Sequence, residues 1–337
     1  MKKKVIILGM LVAVCTSMVG CQKSDNYKLM ETSKKEVLQI YEEKELEKQE
    51  NALVKLRDVY TSGYICEEMK VDEIKEPAGV CCLENELVVT DRKTDAVYKI
   101  DSTGKVLKKA GGTGSNSGEY LSPTAVTRYQ DNVYVVDQGN NRIQVLDKEL
   151  NYVSEIKLES KKKIDTEYVP EVIAVNSQGV YVTGMSLEKP VVDKYTDRQK
   201  EEIGNNFFGS LFSFDDEIYL INSMSRYYDK GEDTLGALSN GPEWLMKIKD
   251  NKLEKICELP YGLQISSFTL TEDKIIAISK SGMSVFCLNK DGEYEETLGR
   301  VTELGDEDYP QISGNEKEEY FIAMPNAGKL LWCHTDK

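Results

Sequence analysis

Few side chains in this chain are suited to covalent or metal chemistry. There is one histidine, His334, near the C-terminus. A lone histidine there is more often a surface residue than a ligand, because a zinc site takes three or four protein ligands. Eight cysteines are present, yet none forms a C-x-x-C pair, so spacing gives thiolate zinc no support. There is no G-x-S-x-G turn and no Walker loop. The glycines Gly111, Gly114 and Gly118 precede a strand pattern, where a phosphate cradle would precede a helix. Asp and Glu number 58, but no spacing gathers them into a divalent-cation set. No catalytic residue, metal ligand or cofactor is assigned. The chemistry that stands out is recognition: Ser223 to Glu243 carries Arg226, Tyr227 and Tyr228 and runs into Trp244, residue types enriched at interface hot spots.

The elements that would carry these residues follow a repeat. From Gly111 to Asp147 the chain reads as a glycine-rich loop, a strand entered through Pro123, a turn at Gln130–Asn132 and a second strand. A polar loop at Asp137–Arg142 and a third strand at Ile143–Leu146 follow. The pattern has period two throughout and nowhere helical spacing. Pro77 to Asp101 aligns with Pro123 to Asp147 without a gap, at a period of 46 residues, a length typical of stacked supersecondary units. Short β-rich runs after a polar turn recur at Leu87–Thr90, Val133–Val136, Val180–Thr183, Ile218–Ile221, Ile275–Ile278 and Tyr320–Met324, which makes six units. Asp101–Gly104, Asp147–Asn151, Asp250–Asn251 and Lys290–Gly292 each separate two apolar runs. They read as hairpin turns, since Asp, Asn and Gly supply the left-handed backbone needed there. Calcium at these acidic turns is the alternative, and turn chemistry explains them without it.

Gly111, Gly114, Gly118, Pro123, Val135-Val136-Asp137, Asn140 and Arg142 to Val145 resemble an NHL repeat. The resemblance implies an all-β, six-bladed β-propeller of NHL or TolB-like type over residues 63–337. Pro123, Asp137, Asn140 and Arg142 would be its structural motif, with Asp137 and Arg142 bracing a loop. The first unit has Ala96 at the place of Arg142 and the third has Gly184 at the place of Asp137, so the pair is not expected in those blades. The last unit ends one strand short, and Gly63–Met69 is the natural donor of its outer strand, closing the ring. Cys66 and Cys333 would then lie on adjacent strands, within reach of a disulfide. In such a fold the loops between second and third strands share one face with those between blades. Tyr120, Tyr168 and Tyr309 precede first strands on that face and join Arg226, Tyr227, Tyr228 and Trp244 as the expected partner-binding surface. The segment from Ser223 to Glu243 reads as a long functional loop.

Ahead of the propeller, residues 21–62 read as a linker and helical stalk. Ser33 and Glu36 form a capping-box pattern. Leu38, Tyr41, Leu46, Leu53, Leu56 and Tyr60 make a thin apolar stripe, as in a spacer or half of a short coiled coil. Residues 1–20 read as a signal peptide: Lys2 to Lys4 are followed by an apolar run from Val5 to Gly20. That run is shorter than the roughly 20 residues that span a bilayer. Met18-Val19-Gly20-Cys21 resembles a lipobox, which implies lipidation of Cys21 and an extracytoplasmic, membrane-anchored bacterial lipoprotein.

The chain carries 43 basic and 58 acidic side chains, a net charge of −15, and loss of the lysine-bearing leader makes it more acidic. Such a surface repels nucleic acid. The expectation is a monomeric propeller, held to the membrane by its lipid, that binds a protein, peptide or glycan at its loop-rich face without catalysis. The alternative is a metal-assisted hydrolase or lyase of the six-bladed class, although the related peptidyl-hydroxyglycine lyases use several histidines.

Overall fold

The period-two runs form the strands of six four-stranded antiparallel sheets, one of which carries a fifth strand. The structure, a computed structural model, describes residues 63–158, 169–185, 190–196, 199–205, 207–229, 234–238, 243–259 and 263–335. The expected signal peptide, Cys21 and the stalk lie outside the described residues.

Blade 1 holds β2 (Pro77–Leu83), β3 (Glu86–Asp91), β4 (Ala96–Asp101) and β5 (Val106–Gly111). Blade 2 holds β6 (Pro123–Tyr129), β7 (Asn132–Asp137), β8 (Arg142–Asp147) and β9 (Tyr152–Lys157). Blade 3 follows with β10 (Val169–Asn176), β11 (Gly179–Met185), β12 (Pro190–Tyr195) and β13 (Lys200–Asn205). Blade 4 comprises β14 (Phe207–Phe214), β15 (Glu217–Asp229), β17 (Glu243–Lys249) and β18 (Lys252–Leu259), with β16 (Thr234–Leu238) paired to β15. Blade 5 is β19 (Ile265–Leu270), β20 (Lys274–Ser279), β21 (Ser284–Asn289) and β22 (Tyr294–Arg300). Blade 6 is β23 (Gln311–Gly314), β24 (Tyr320–Met324), β25 (Lys329–Thr335) and, as its outer strand, β1 (Tyr64–Glu68). The innermost strands β2, β6, β10, β14, β19 and β23 touch one another in that order, and β23 returns to β2. All six expected second strands fall where the repeat placed them.

Each hydrophobic cluster lies between two neighbouring blades. On β20, Ile275 and Ala277 join the cluster shared with blade 4, while Ile276 and Ile278 join the one shared with blade 6. On β24, Phe321 and Ala323 pack toward blade 1 and Tyr320, Ile322 and Met324 toward blade 5. Both faces of a second strand are therefore buried, which is why these runs are almost continuously apolar. Full burial of each such side chain contributes roughly 1.5–3 kcal/mol.

Turn chemistry fixes the register. Asp215 and Asp216 have φ of 51° and 58°, and Asp250 and Asn251 of 50° and 56°, the paired positive φ of a type I′ hairpin. Asp101 Oδ1 accepts from the backbone N–H of Thr103 and Lys105, and Asp147 Oδ1 from those of Glu149 and Asn151. Asn289 and Asn315 repeat this in blades 5 and 6.

Ring closure follows the expected exchange. Cys66 on β1 faces Cys333 on β25, with Cα atoms 4.0 Å apart and a disulfide between them. Gly299 on β22 leaves the space, because a Cβ there would stand 2.4 Å from Cys66 Sγ. The expected long loop after Ser223 is different from the sequence reading. β15 runs on to Asp229 and pairs with β16 through Arg226–Ala237, Tyr227–Gly236 and Tyr228–Leu235, forming a hairpin beyond the Asn222–Trp244 pair. The β-propensity of this aromatic-rich segment outweighs its polar, loop-like composition.

Candidate functional site

The loops on the face that joins second to third strands are held down by buried carboxylates. In blade 2, Asp137 is fully buried and its carboxylate receives Arg142 Nε at 2.8 Å, Asn140 Nδ2 at 2.9 Å and the Leu121 N–H at 2.8 Å. Arg142 Nη2 also donates to the carbonyls of Asn116 and Glu119, and its Nη1 pairs with Glu155 at 2.8 Å. Asn140 donates to Gly114 O, and Gln144 accepts from Gly118 N–H. Pro123 opens β6. The motif residues therefore stitch the glycine loop to its blade. Gly111, at φ +95°, lets the Tyr120 ring lie where a Cβ would be only 2.5 Å away.

Blade 1 keeps a brace without an arginine. Asp91, fully buried, accepts from the N–H groups of Lys75, Glu76, Lys93 and Thr94. The Asp–Arg pair is absent here, as Ala96 implied, and backbone amides supply the donors that the carboxylate needs. Glu307 performs the same task for Asn326 and Ala327. Glu243 accepts from Gln264 and Ile265, and there burial outweighs the two N–H bonds and pushes the carboxyl up to about 8.

Inside this ring of braced loops lies an axial cavity of about 160 Å³, lined from all six blades. Its lining has a simple origin. The pairing register of the innermost strand slips between Pro77 and Gly79, Pro123 and Val126, Pro170 and Val172, and Ile265 and Ser267. A bulge leaves one residue out of the ladder and re-aims it. Ala78, Thr124, Ala125, Glu171 and Ser266, the residues inside those slips, all line the cavity. Gln311 from blade 6 reaches the backbone of both Val80 and Val126. The Thr124 and Ser266 hydroxyl oxygens are buried and have no hydrogen-bond partner, a state natural proteins rarely leave unfilled. Arg92, Gln138, Ser210, Ser267 and Tyr309 complete the polar lining. Tyr309 is 57% exposed and lines the cavity together with Glu171. Burial and the negative charge of that carboxylate push the phenol up to about 12. Blades 3 and 6 are opposite in the ring, so Glu171 and Tyr309 reach the cavity from opposite sides.

The residues expected at the binding face separate. Tyr309 stands at the mouth. Tyr120 is fully buried between blades 1 and 2, and its ring packs where the sequence suggested an exposed loop residue. Trp244 is 6% exposed in the cluster between blades 3 and 4, with Lys255 Nζ 3.6 Å from its ring centroid. Neither ring is presented at the surface. Arg226, Tyr227 and Tyr228 lie on the β15 extension, and Tyr168 lies outside the described residues. Arg92, Glu171, Ser266 and Gln311 were missed. A signal for most of the lining exists: Ala78, Thr124, Glu171 and Gln311 each follow a strand-entry proline. His334 sits on the outer part of blade 6, stacked on Trp332 at 3.7 Å between centroids and 3.3 Å from Glu67. Among the described residues no group of three or more His, Cys, Asp or Glu is placed to hold a metal ion.

Comparison with known proteins agrees with this architecture. The model of the DUF5128 family, described as a 6-bladed beta-propeller, matches residues 31–264. No curated protein matches the chain. Among solved structures, a streptogramin B lyase is similar at TM-score 0.54 and 12% identity, over 81% of this chain and 98% of its own. A putative exported protein of Bacteroides fragilis is similar at TM-score 0.51 and 12% identity, over 83% and 98% respectively. A luciferin-regenerating enzyme is similar at TM-score 0.51 and 11% identity, over 80% and 95%. At these identities the likeness is one of fold.

Proposed function

This chain belongs to the DUF5128 family of six-bladed β-propellers, and from that premise we propose that it is an extracytoplasmic binding protein, anchored through a lipid on Cys21. It takes a protein, peptide or glycan partner at the axial mouth and catalyses no reaction. The observation that carries this reading is the cavity itself: all six blades line it, and two buried hydroxyls there have no partner. A concave site with a few converging polar groups is where ligands bind by default. Braced loops around it hold the polar groups in place before a partner arrives, which limits the ordering cost of binding.

The test is capture of envelope material by the immobilised mature chain, wild type against a Glu171→Ala, Tyr309→Ala double variant. Loss of a specific bound species in the variant supports the reading, and identical recoveries overturn it. The names of two structural neighbours, a lyase and a luciferin-regenerating enzyme, motivate a second reading as a metal-assisted hydrolase or lyase. Thermal melts with Ca²⁺, with Zn²⁺ and with EDTA separate the two. A rise of several degrees with metal favours the enzyme.

A further inference from the structure

Between the outer part of blade 2 and the hairpin ends of blade 3 lies a cleft of about 950 Å³, which shares no lining residue with the axial cavity. Its volume is at the upper end of the roughly 300–1,000 Å³ that ligand sites occupy. We propose that this cleft is a strand-docking site, in which an extended segment of a partner protein adds to β9 as the fifth strand of blade 2.

The wall that β9 contributes is its edge. Successive side chains of a strand point to opposite faces, so a wall built from one face shows every second residue. Here residues 153–157 all line the cleft. β9 pairs with β8 and ends its sheet. Just past the strand, the Leu158 N–H donates to Asn141 O at 3.0 Å. Alternation along an antiparallel pair then turns the main-chain groups of Ile156 toward β8 and those of Glu155 and Lys157 away from it. Outward N–H and C=O groups of this kind are a template for one more strand.

The other five outer strands are guarded against such pairing. Each carries consecutive charged residues: Glu67-Glu68 on β1, Lys108-Lys109 on β5, Lys200-Glu201 on β13, Glu254-Lys255 on β18 and Glu295-Glu296 on β22. Charges on an edge blunt its pairing with another chain. β9 has no such pair. Its Glu155 is neutralised by Arg142 at 2.8 Å, and its Tyr152 and Val153 are exposed.

Charge and shape select the occupant. At a net charge of −15, two copies of the chain repel each other, and a second copy would bring a β9 already flanked by its own blade 3. A single extended segment fits the space. Side chains on one of its faces enter the cleft against Tyr134, Ile156, Val175 and Tyr195, while those on the other meet water. The segment therefore alternates apolar and polar residues. Lys157 is exposed and has no ion pair among the described residues, so an acidic residue of the segment belongs beside it.

The experiment uses the mature full chain and labelled peptides of about eight residues, the length of a strand. They alternate valine and threonine, with one position set to glutamate, glutamine or lysine. Main-chain bonds give strand addition its affinity, so a generic strand serves as the probe. Anisotropy titrations should rank the glutamate peptide first and the lysine peptide last, and hydrogen exchange should show the Glu155 and Lys157 amides protected by bound peptide. Lys157→Pro removes an outward N–H at an edge position, where proline is tolerated, and should weaken binding about tenfold, with its melting temperature confirming the fold. Lys157→Glu should reverse the charge ranking. If no peptide binds, or if binding leaves both amides unprotected and is indifferent to Lys157→Pro, the proposal is wrong. Two results would overturn the occupant. A peptide-free dimer in light scattering that Lys157→Pro dissociates would assign the edge to a second copy. Amides of Glu155 and Lys157 already protected in the peptide-free monomer would assign it to another segment of this chain.

Discussion

Two regions of one face use hydrogen bonds in opposite ways. Around Asp137 in blade 2, the buried carboxylate, guanidinium and amide groups find partners within blade 2 and its glycine loop. At the axial mouth, Thr124 and Ser266 keep buried hydroxyls without partners, and Glu171 and Tyr309 line the cavity from opposite blades. The first region carries the recognisable motif and the second carries none. The Asp137 network rigidifies its loop, although the Tyr120 hydroxyl and Asn141 Oδ1 beside it are also buried without partners; what sets the mouth apart is that its unpartnered hydroxyls belong to residues lining a cavity.

The largest effect should come from breaking the braced region. Asp137→Ala leaves Arg142, 6% exposed, as a buried charge without its main counter-ion, which costs roughly 3–5 kcal/mol. At 2–4 °C per kcal/mol for a domain of this class, the melting temperature should fall by about 10 °C. A fall under 3 °C would remove the contrast between brace and mouth. Trp244→Ala should destabilise by a similar ~3–5 kcal/mol through the cavity it leaves, so reduced partner capture by that variant would report unfolding.

Next in size is the clasp. Reducing the Cys66–Cys333 bond, which joins residues 267 apart in sequence, should cost about 2–4 kcal/mol. Melts with and without reductant measure it, and Cys66→Ser should give the same loss without reductant. Ligand affinity at the mouth should not change, because the clasp lies on the outer strands.

A third variant separates two kinds of brace. Glu243, pushed up to about 8 by burial, holds a proton in the folded chain that the unfolded chain, near 4.3, has released. Its contribution is therefore full at low pH and declines as pH rises from about 4 to about 8. Glu243→Gln should flatten this decline, so the wild type should lose ground to the variant across that window in urea melts. A constant difference would show that the carboxyl is ionised when folded. The smallest effect belongs to the mouth: Tyr309→Ala, at an exposed ring, should move stability by no more than ~0.5 kcal/mol while altering binding.

Much of the fold was legible because its signals are local. Period-two alternation, the Asp215-Asp216 and Asp250-Asn251 turns and the 46-residue spacing from Pro77 to Pro123 all lie within a few residues or one repeat. The missing outer strand of blade 6, and the donor Tyr64–Glu68, followed from counting. The site was far less legible. Aromatic composition pointed to Tyr120 and Trp244, but the same rings serve inter-blade packing, and composition does not distinguish the two uses. The hairpin at β15 and β16 reads as a loop in the sequence because Ser223–Glu243 has no regular apolar alternation.

The sequence by itself determined the blade count, the closing strand and the cysteine pair, since each depends on period and pattern. Only the tertiary structure decided which residues meet on the axis. Ala78, Thr124, Glu171, Ser266 and Gln311 come from five different blades, and bulges turn four of them out of their ladders. A bulge is a one-residue slip between paired strands, and convergence on an axis is a property of the closed ring. Neither exists until the blades have packed.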